Sequence, residues 1–149
     1  LALQQGYPVE AKRFLDQGYS ANLLGQGADA SRHRQLREQT NKNLAEDKKL
    51  LGSDDAKLAA AKDGNPLFNS GFNYVLHGQG EKGLSLMEAG FKKGGIRHGS
   101  EAKLRLGYAY LLAGQREKAI QAFNGVPGRD GAAILARLWV IHLGKTGAN

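Results

Sequence analysis

Gly78, Gly80 and Gly83 in HGQGEKG stand at the G-x-G-x-x-G spacing of a loop that cradles a dinucleotide pyrophosphate. That chemistry needs a strand before the loop and a helix after it, so that backbone N–H groups at the helix start meet the phosphates. Residues 65–77 read instead as a helix, and no nucleotide is expected. Near the C-terminus Gly144-Lys145-Thr146 has the ending of a phosphate-binding P-loop, but the earlier glycine position of that motif is Trp139. His33, His77, His98 and His142 lie far apart without i,i+4 partners, so no metal-ligand spacing arises. Ser70 in NSGF lacks the strand-turn-helix setting of a nucleophile elbow and has no neighbouring base. There are no cysteines, which removes thiolate ligands and thiol nucleophiles. The expectation is a protein without catalytic residues, cofactor or metal.

The elements that carry these residues repeat. Setting Asn65 to Phe91 above Glu101 to Val126 aligns Gly71 with Gly107, Tyr74 with Tyr110, Gly78 with Gly114, Gly83 with Ala119, Leu84 with Ile120 and Met87 with Phe123, at a constant offset of 36 residues. An earlier copy at twice that offset places Gly6, Ala11, Leu15 and Gly18 under Gly78, Gly83, Met87 and Gly90. GQGEKG therefore has the position of a turn between two helices, with Gly83 at a small-residue contact where the helix axes approach. Each unit is predicted to be an amphipathic helix pair. Pro8 and Pro66 fit first-turn positions, Asn65 and Ser100 are expected caps, and Pro127-Gly128 is an expected stop.

This pattern resembles the tetratricopeptide repeat family, through Leu106, Gly107, Tyr110, Gly114, Ala119 and Phe123, and more loosely through Gly71, Tyr74, Gly78, Gly83 and Met87. The resemblance implies an all-α, helix-turn-helix solenoid wound as a right-handed superhelix. Its units would be a partial repeat at 1–24, repeats at 65–93 and 100–126, and a capping helix at 130–143. The chain is also similar to the C-terminal part of longer proteobacterial repeat proteins, whose full-length forms often carry export signals. An exported or periplasmic setting is the corresponding expectation, with the chain a fragment of a longer protein.

Residues 28–62 fill the slot of one repeat without matching it, as a degenerate repeat or an inserted arm that contacts a partner would. Leu36, Thr40, Leu44, Asp47 and Leu51 follow helical spacing, but Thr40 and Asp47 interrupt the apolar stripe. The prediction is one long polar helix, with a break at Asn41-Lys42-Asn43 and an end at Gly52-Ser53, then a short helix from Asp54-Asp55 to Lys62. The last segment carries Ile134, Leu135, Leu138, Trp139, Ile141 and Leu143 behind a cap at Asp130, as a helix covering the final apolar face would.

A chain of 149 residues is long enough to bury about 68–70% of the surface its unfolded form exposes, and a single domain is expected. No apolar run reaches the roughly 18 residues of a membrane span. The resemblance implies protein or peptide binding through a helical groove, and the stripe beside the helix-pair contact assigns that groove to Phe68, Asn69, Phe72, Val75, Leu104, Arg105, Tyr108 and Leu111; the alternative is that Phe68 and Phe72 pack under the 28–51 helix and no groove is open. Asn69 and Arg105 would bond a peptide backbone or carboxylate. Family members that clamp a terminal carboxylate use lysines and asparagines where this chain has Phe68, Phe72 and Glu101. The formal charge of +7 offers a rival, nucleic-acid binding through Arg32, Arg34, Arg37, Lys42, Lys48 and Lys49. A structural segment of a larger exported protein is the third expectation.

Overall fold

A computed structural model describes residues 2–53 and 55–146, and among these every regular element is helical. The chain forms two compact units, Leu1–Asp54 and Asp55–Asn149, where the sequence suggested one domain.

The first unit consists of a 3-10 turn at Leu3–Gln5, helix α1 (Pro8–Ser20) and helix α2 (Ala30–Leu50). Pro8 sits at the first position of α1, where its missing N–H costs nothing. Helix α1 buries Pro8, Ala11 and Leu15, one stripe at helical spacing. The 21-residue α2 runs without a break through Asn41-Lys42-Asn43, and it ends before Gly52, which takes φ 89°. Thr40 is buried completely instead of interrupting the packed face. Its hydroxyl donates to Leu36 O at 2.7 Å, so the polar atom enters the contact already satisfied. At the edge of the pair, the Arg37 guanidinium lies 4.6 Å over the Tyr19 ring and 3.8 Å from the Asp16 carboxylate, which Lys12 also binds at 2.5 Å.

The second unit comprises α3 (Asp55–Ala60), α4 (Asn65–Leu76), α5 (Gly80–Lys93), α6 (Gly99–Leu112), α7 (Arg116–Asn124) and α8 (Gly131–Thr146). Helix α3 is shorter than expected, and Asp54 lies outside the described residues. Two helical hairpins, α4–α5 and α6–α7, correspond to the two clear sequence copies, and α8 packs on α6 and α7.

The turn glycines carry the repeat into the backbone. Gly6, Gly78 and Gly114 take φ 78°, 80° and 75°, the left-handed conformation that disfavours a Cβ. In each copy the glycine N–H returns to the carbonyl three residues back and the next N–H to the carbonyl five back. The second bonds are Tyr7 N to Ala2 O at 3.0 Å, Gln79 N to Tyr74 O at 2.9 Å and Gln115 N to Tyr110 O at 2.8 Å. These are three Schellman turns at the positions that repeat in the sequence. The following helix starts at Gly80, so this second glycine of HGQGEKG belongs to α5, and the helix α4 stands where a phosphate loop needs a strand.

Close approach explains the third glycine. A Cβ on Gly83 would stand 2.5 Å from Gly71 O, and one on Gly71 would stand 2.5 Å from Gly83 O, so the α4 and α5 backbones touch. In α6–α7 the Phe123 ring fills the space over Gly107. Met87, Leu84, Ala119 and Phe123 are buried around these contacts, and burying a side chain of Met or Phe size contributes roughly 1.5–3 kcal/mol. Successive hairpins are tied by Tyr110, whose hydroxyl donates to Glu88 Oε1 at 2.6 Å. Lys82 Nζ donates to Tyr74 Oη at 2.7 Å and lies 4.0 Å over that ring; 36 residues on, Lys118 Nζ lies 5.6 Å over Tyr110. Asp130 caps α8 as expected, its Oδ1 accepting from Ala133 N at 2.9 Å.

Two expected caps do other work. Asn65 and Ser100 each lie inside their helices, after Gly64 and His98 at the cap positions. Ser100 Oγ donates to Pro127 O at 3.3 Å, tying α6 to the segment after α7.

Candidate interaction surface

Helices α4 and α6 lie side by side, and equivalent positions of the two repeats meet. The Phe72 and Tyr108 ring centroids are 6.5 Å apart, Tyr108 continues to Trp139 at 6.0 Å, and Trp139 stacks on Phe123 at 6.0 Å with 6° between planes. Trp139 thus packs within the unit.

This arrangement revises the expected contact stripe. Phe68, Phe72 and Val75 are only 2%, 5% and 4% exposed, and they form core beneath the surface instead of presenting a partner face. Phe68 meets Phe91 of α5 edge-on at 5.2 Å, which turns its ring toward the hairpin partner. Leu104, Arg105, Tyr108 and Leu111 are half-buried, and Asn69 is exposed. The stripe beside the helix-pair contact is used for stacking repeat on repeat, so apolar side chains there are consumed by the neighbouring unit.

What stays open is a cavity of about 480 Å³ at the N-terminal ends of α4 and α6. Its floor includes Phe68 and Ala102; Asn69 and Arg105 stand on its walls with Glu101, Arg97 and His98. The guanidinium of Arg105 also lies 5.9 Å from the centre of the Phe72 ring. Of the eight expected residues, Phe68, Asn69 and Arg105 are brought together here.

The wall that sequence reasoning missed is the 94–98 linker. Gly94 and Gly95 take φ 84° and 71°, and His98 takes φ 51°, a left-handed conformation uncommon for a non-glycine residue. Asn65 holds this linker in place: its Nδ2 donates to Gly95 O at 2.7 Å and its Oδ1 accepts from Arg97 N at 2.9 Å. Gly64 N donates to Gly94 O at 2.7 Å beside it. Asp63 Oδ1 in turn accepts from Asn65 Nδ2 at 3.0 Å and from Asn65 N at 2.9 Å. These two bonds, and then the nearby charges of Arg97 and Lys93, hold the Asp63 carboxyl below its ordinary range. The available signal was the unusual length of KKGGIRHGS, which sets the offset at 36 and supplies the wall.

The basic segment on α2 belongs to a unit whose charges nearly balance. Arg32, Arg34, Lys42, Lys48 and Lys49 are exposed, while Arg37 engages Asp16 and Tyr19. Residues 1–54 carry 8 Lys and Arg against 7 Asp and Glu, whereas residues 55–149 carry 13 against 7. Most of the excess positive charge therefore belongs to the second unit. Among the described residues no group of three or more His, Cys, Asp or Glu is placed to hold a metal ion, and no helix is long and apolar enough to cross a membrane.

No family model, curated protein or solved structure matches the chain.

Proposed function

We propose that this chain is a tetratricopeptide-like scaffold that binds a protein or peptide partner at the α4/α6 cavity. The observation that carries the reading is the meeting of an exposed amide, Asn69, and a guanidinium, Arg105, over an apolar floor of Phe68 and Ala102. An extended peptide offers carbonyls to those donors and a small apolar side chain to the floor, while Glu101 accepts from a peptide N–H. The repeated Schellman turns and glycine contacts support the repeat-scaffold part of the reading. The resemblance to longer proteobacterial repeat proteins extends it to an exported or periplasmic setting.

The test is a peptide-display selection on the full chain, followed by dissociation constants for wild type and for Asn69→Ala/Arg105→Ala. Selected peptides should lose about tenfold or more in affinity, about 1.4 kcal/mol, with helix content unchanged. Peptides that bind both proteins equally would remove the cavity from the function.

A further inference from the structure

Helix α8 is turned the opposite way from an ordinary surface helix. It buries Ala133, Ala136 and Leu143, while Ile134, Leu135, Leu138 and Ile141 remain 50%, 45%, 56% and 55% exposed. Three of its larger aliphatics, Ile134, Leu138 and Ile141, follow the 4,3 spacing of one helix face, and Leu135 lies beside them. A contiguous aliphatic row of this kind marks an interaction surface, unlike single exposed apolar residues.

The row has charged ends of opposite sign. Asp130, the cap residue whose Oδ1 accepts from Ala133 N, precedes Ile134 by four positions at the start of the row, and Lys145 stands one turn after Ile141; both are exposed. Read from either end of an antiparallel pair, the order acid, three aliphatics, base becomes its own complement. Asp130 faces Lys145 of the other helix twice and Ile134 faces Ile141 twice, so the axis passes between positions 137 and 138 and Leu138 meets its own counterpart beside it. A parallel pair would put acid on acid and base on base. Antiparallel helix dipoles favour the same choice.

We propose that the outer face of α8 is a homodimer interface, covered by α8 of a second copy of this chain in an antiparallel, two-fold arrangement. Such an interface is isologous and closes at two subunits. Arg137 lies on the flank of the row, where the two-fold brings it toward its own mate, so its charge opposes the pairing. His142 lies on the other flank, edge-on to Trp139 at 5.7 Å. The cavity residues Asn69 and Arg105 belong to other helices, so this interface and peptide binding are separable.

The absence of cysteine makes the register directly measurable in this 149-residue chain. Under mild oxidation Leu138→Cys should give a disulfide-linked dimer. Ile134→Cys and Ile141→Cys should each remain uncrosslinked alone and crosslink when mixed. In sedimentation equilibrium the wild type should dimerise reversibly. Leu138→Arg should be monomeric with unchanged helix content, because the side chain it alters points outward. Lys145→Glu should weaken the dimer about tenfold, through two equivalent end pairs, and Arg137→Gln should tighten it. Asn69→Ala/Arg105→Ala should leave dimerisation intact. A chain that stays monomeric up to millimolar concentration, as it would if α8 serves a different partner, overturns the proposal. So does efficient self-crosslinking of Ile134→Cys.

Discussion

Replacing Gly83 by alanine gives that position the residue of its repeat counterpart, Ala119, and should nevertheless weaken the fold. The new Cβ would lie 2.5 Å from Gly71 O and Val75 Cγ2, and 2.7 Å from Val75 N. Two of these three atoms are backbone of α4, so a rotamer change cannot relieve the overlap and the hairpin must open. Overpacking of this kind costs ~1–3 kcal/mol, and a clash against backbone belongs at the upper end. Alanine's better helix propensity returns ~1 kcal/mol, leaving a net loss of ~2 kcal/mol. Gly144→Ala is the control. Gly144 lies in α8 with nothing within 4 Å of its added Cβ, so only the propensity acts, and near a helix end it gains ~0.5 kcal/mol. Urea unfolding followed by the fluorescence of Trp139, the single tryptophan, reports on the second unit. With a slope of ~2 kcal/mol per molar, Gly83→Ala should lower the midpoint by ~1 M, while Gly144→Ala raises it slightly. Equal or greater stability of Gly83→Ala would refute the idea that backbone contact at Gly71 and Gly83 holds this hairpin.

Phe123→Ala removes the ring that fills the space over Gly107 and stacks on Trp139, and should cost ~3–5 kcal/mol with a red shift in tryptophan emission. Thr40→Val should change the stability of the first unit by less than ~0.5 kcal/mol by circular dichroism, because Leu36 O keeps its helical N–H donor and the buried hydroxyl needs no replacement partner. Tyr110 is pushed up to about 12 from an ordinary 10.0 by burial first and then by its bond to Glu88. The folded state thus favours the neutral phenol: its contribution is complete below pH 10 and lost as pH rises toward 12, and Tyr110→Phe should flatten that alkaline limb in pH-dependent unfolding. Asn65→Ala breaks the linker latch and should cost ~1–3 kcal/mol, with hydrogen exchange of the Arg97 amide accelerating while the α6 interior stays protected.

The turns and helix contacts were legible because they depend on local chemistry that only a few residues satisfy. A left-handed φ demands glycine at 6, 78 and 114, and touching backbones demand it at 71 and 83. Such positions recur at fixed spacing and identify themselves. The cap at Asp130 and proline at the start of α1 are equally local. Asn65 was misread for the opposite reason: its side chain bonds residues thirty positions away instead of capping its own helix, and no neighbouring residue announces that choice. Thr40 was read as a defect in a stripe, although its backbone-directed hydrogen bond lets it fill the tight contact as a small apolar residue would.

Surface assignments are harder for a physical reason visible at Phe72, Tyr108 and Leu138. A helical wheel shows which side chains share a face, but it cannot show whether a neighbour covers that face. Phe72 and Tyr108 occupy equivalent positions in successive repeats, and stacking one unit on the next brings them together, which removes them from the binding surface. The last helix has no following repeat among the described residues, and there Ile134, Leu135, Leu138 and Ile141 are outside while Ala133, Ala136 and Leu143 are inside. The faces that stacking leaves open among the described residues are thus the outer face of α8, proposed to pair with a second copy, and the proposed peptide cavity beside the Asn65-latched 94–98 wall.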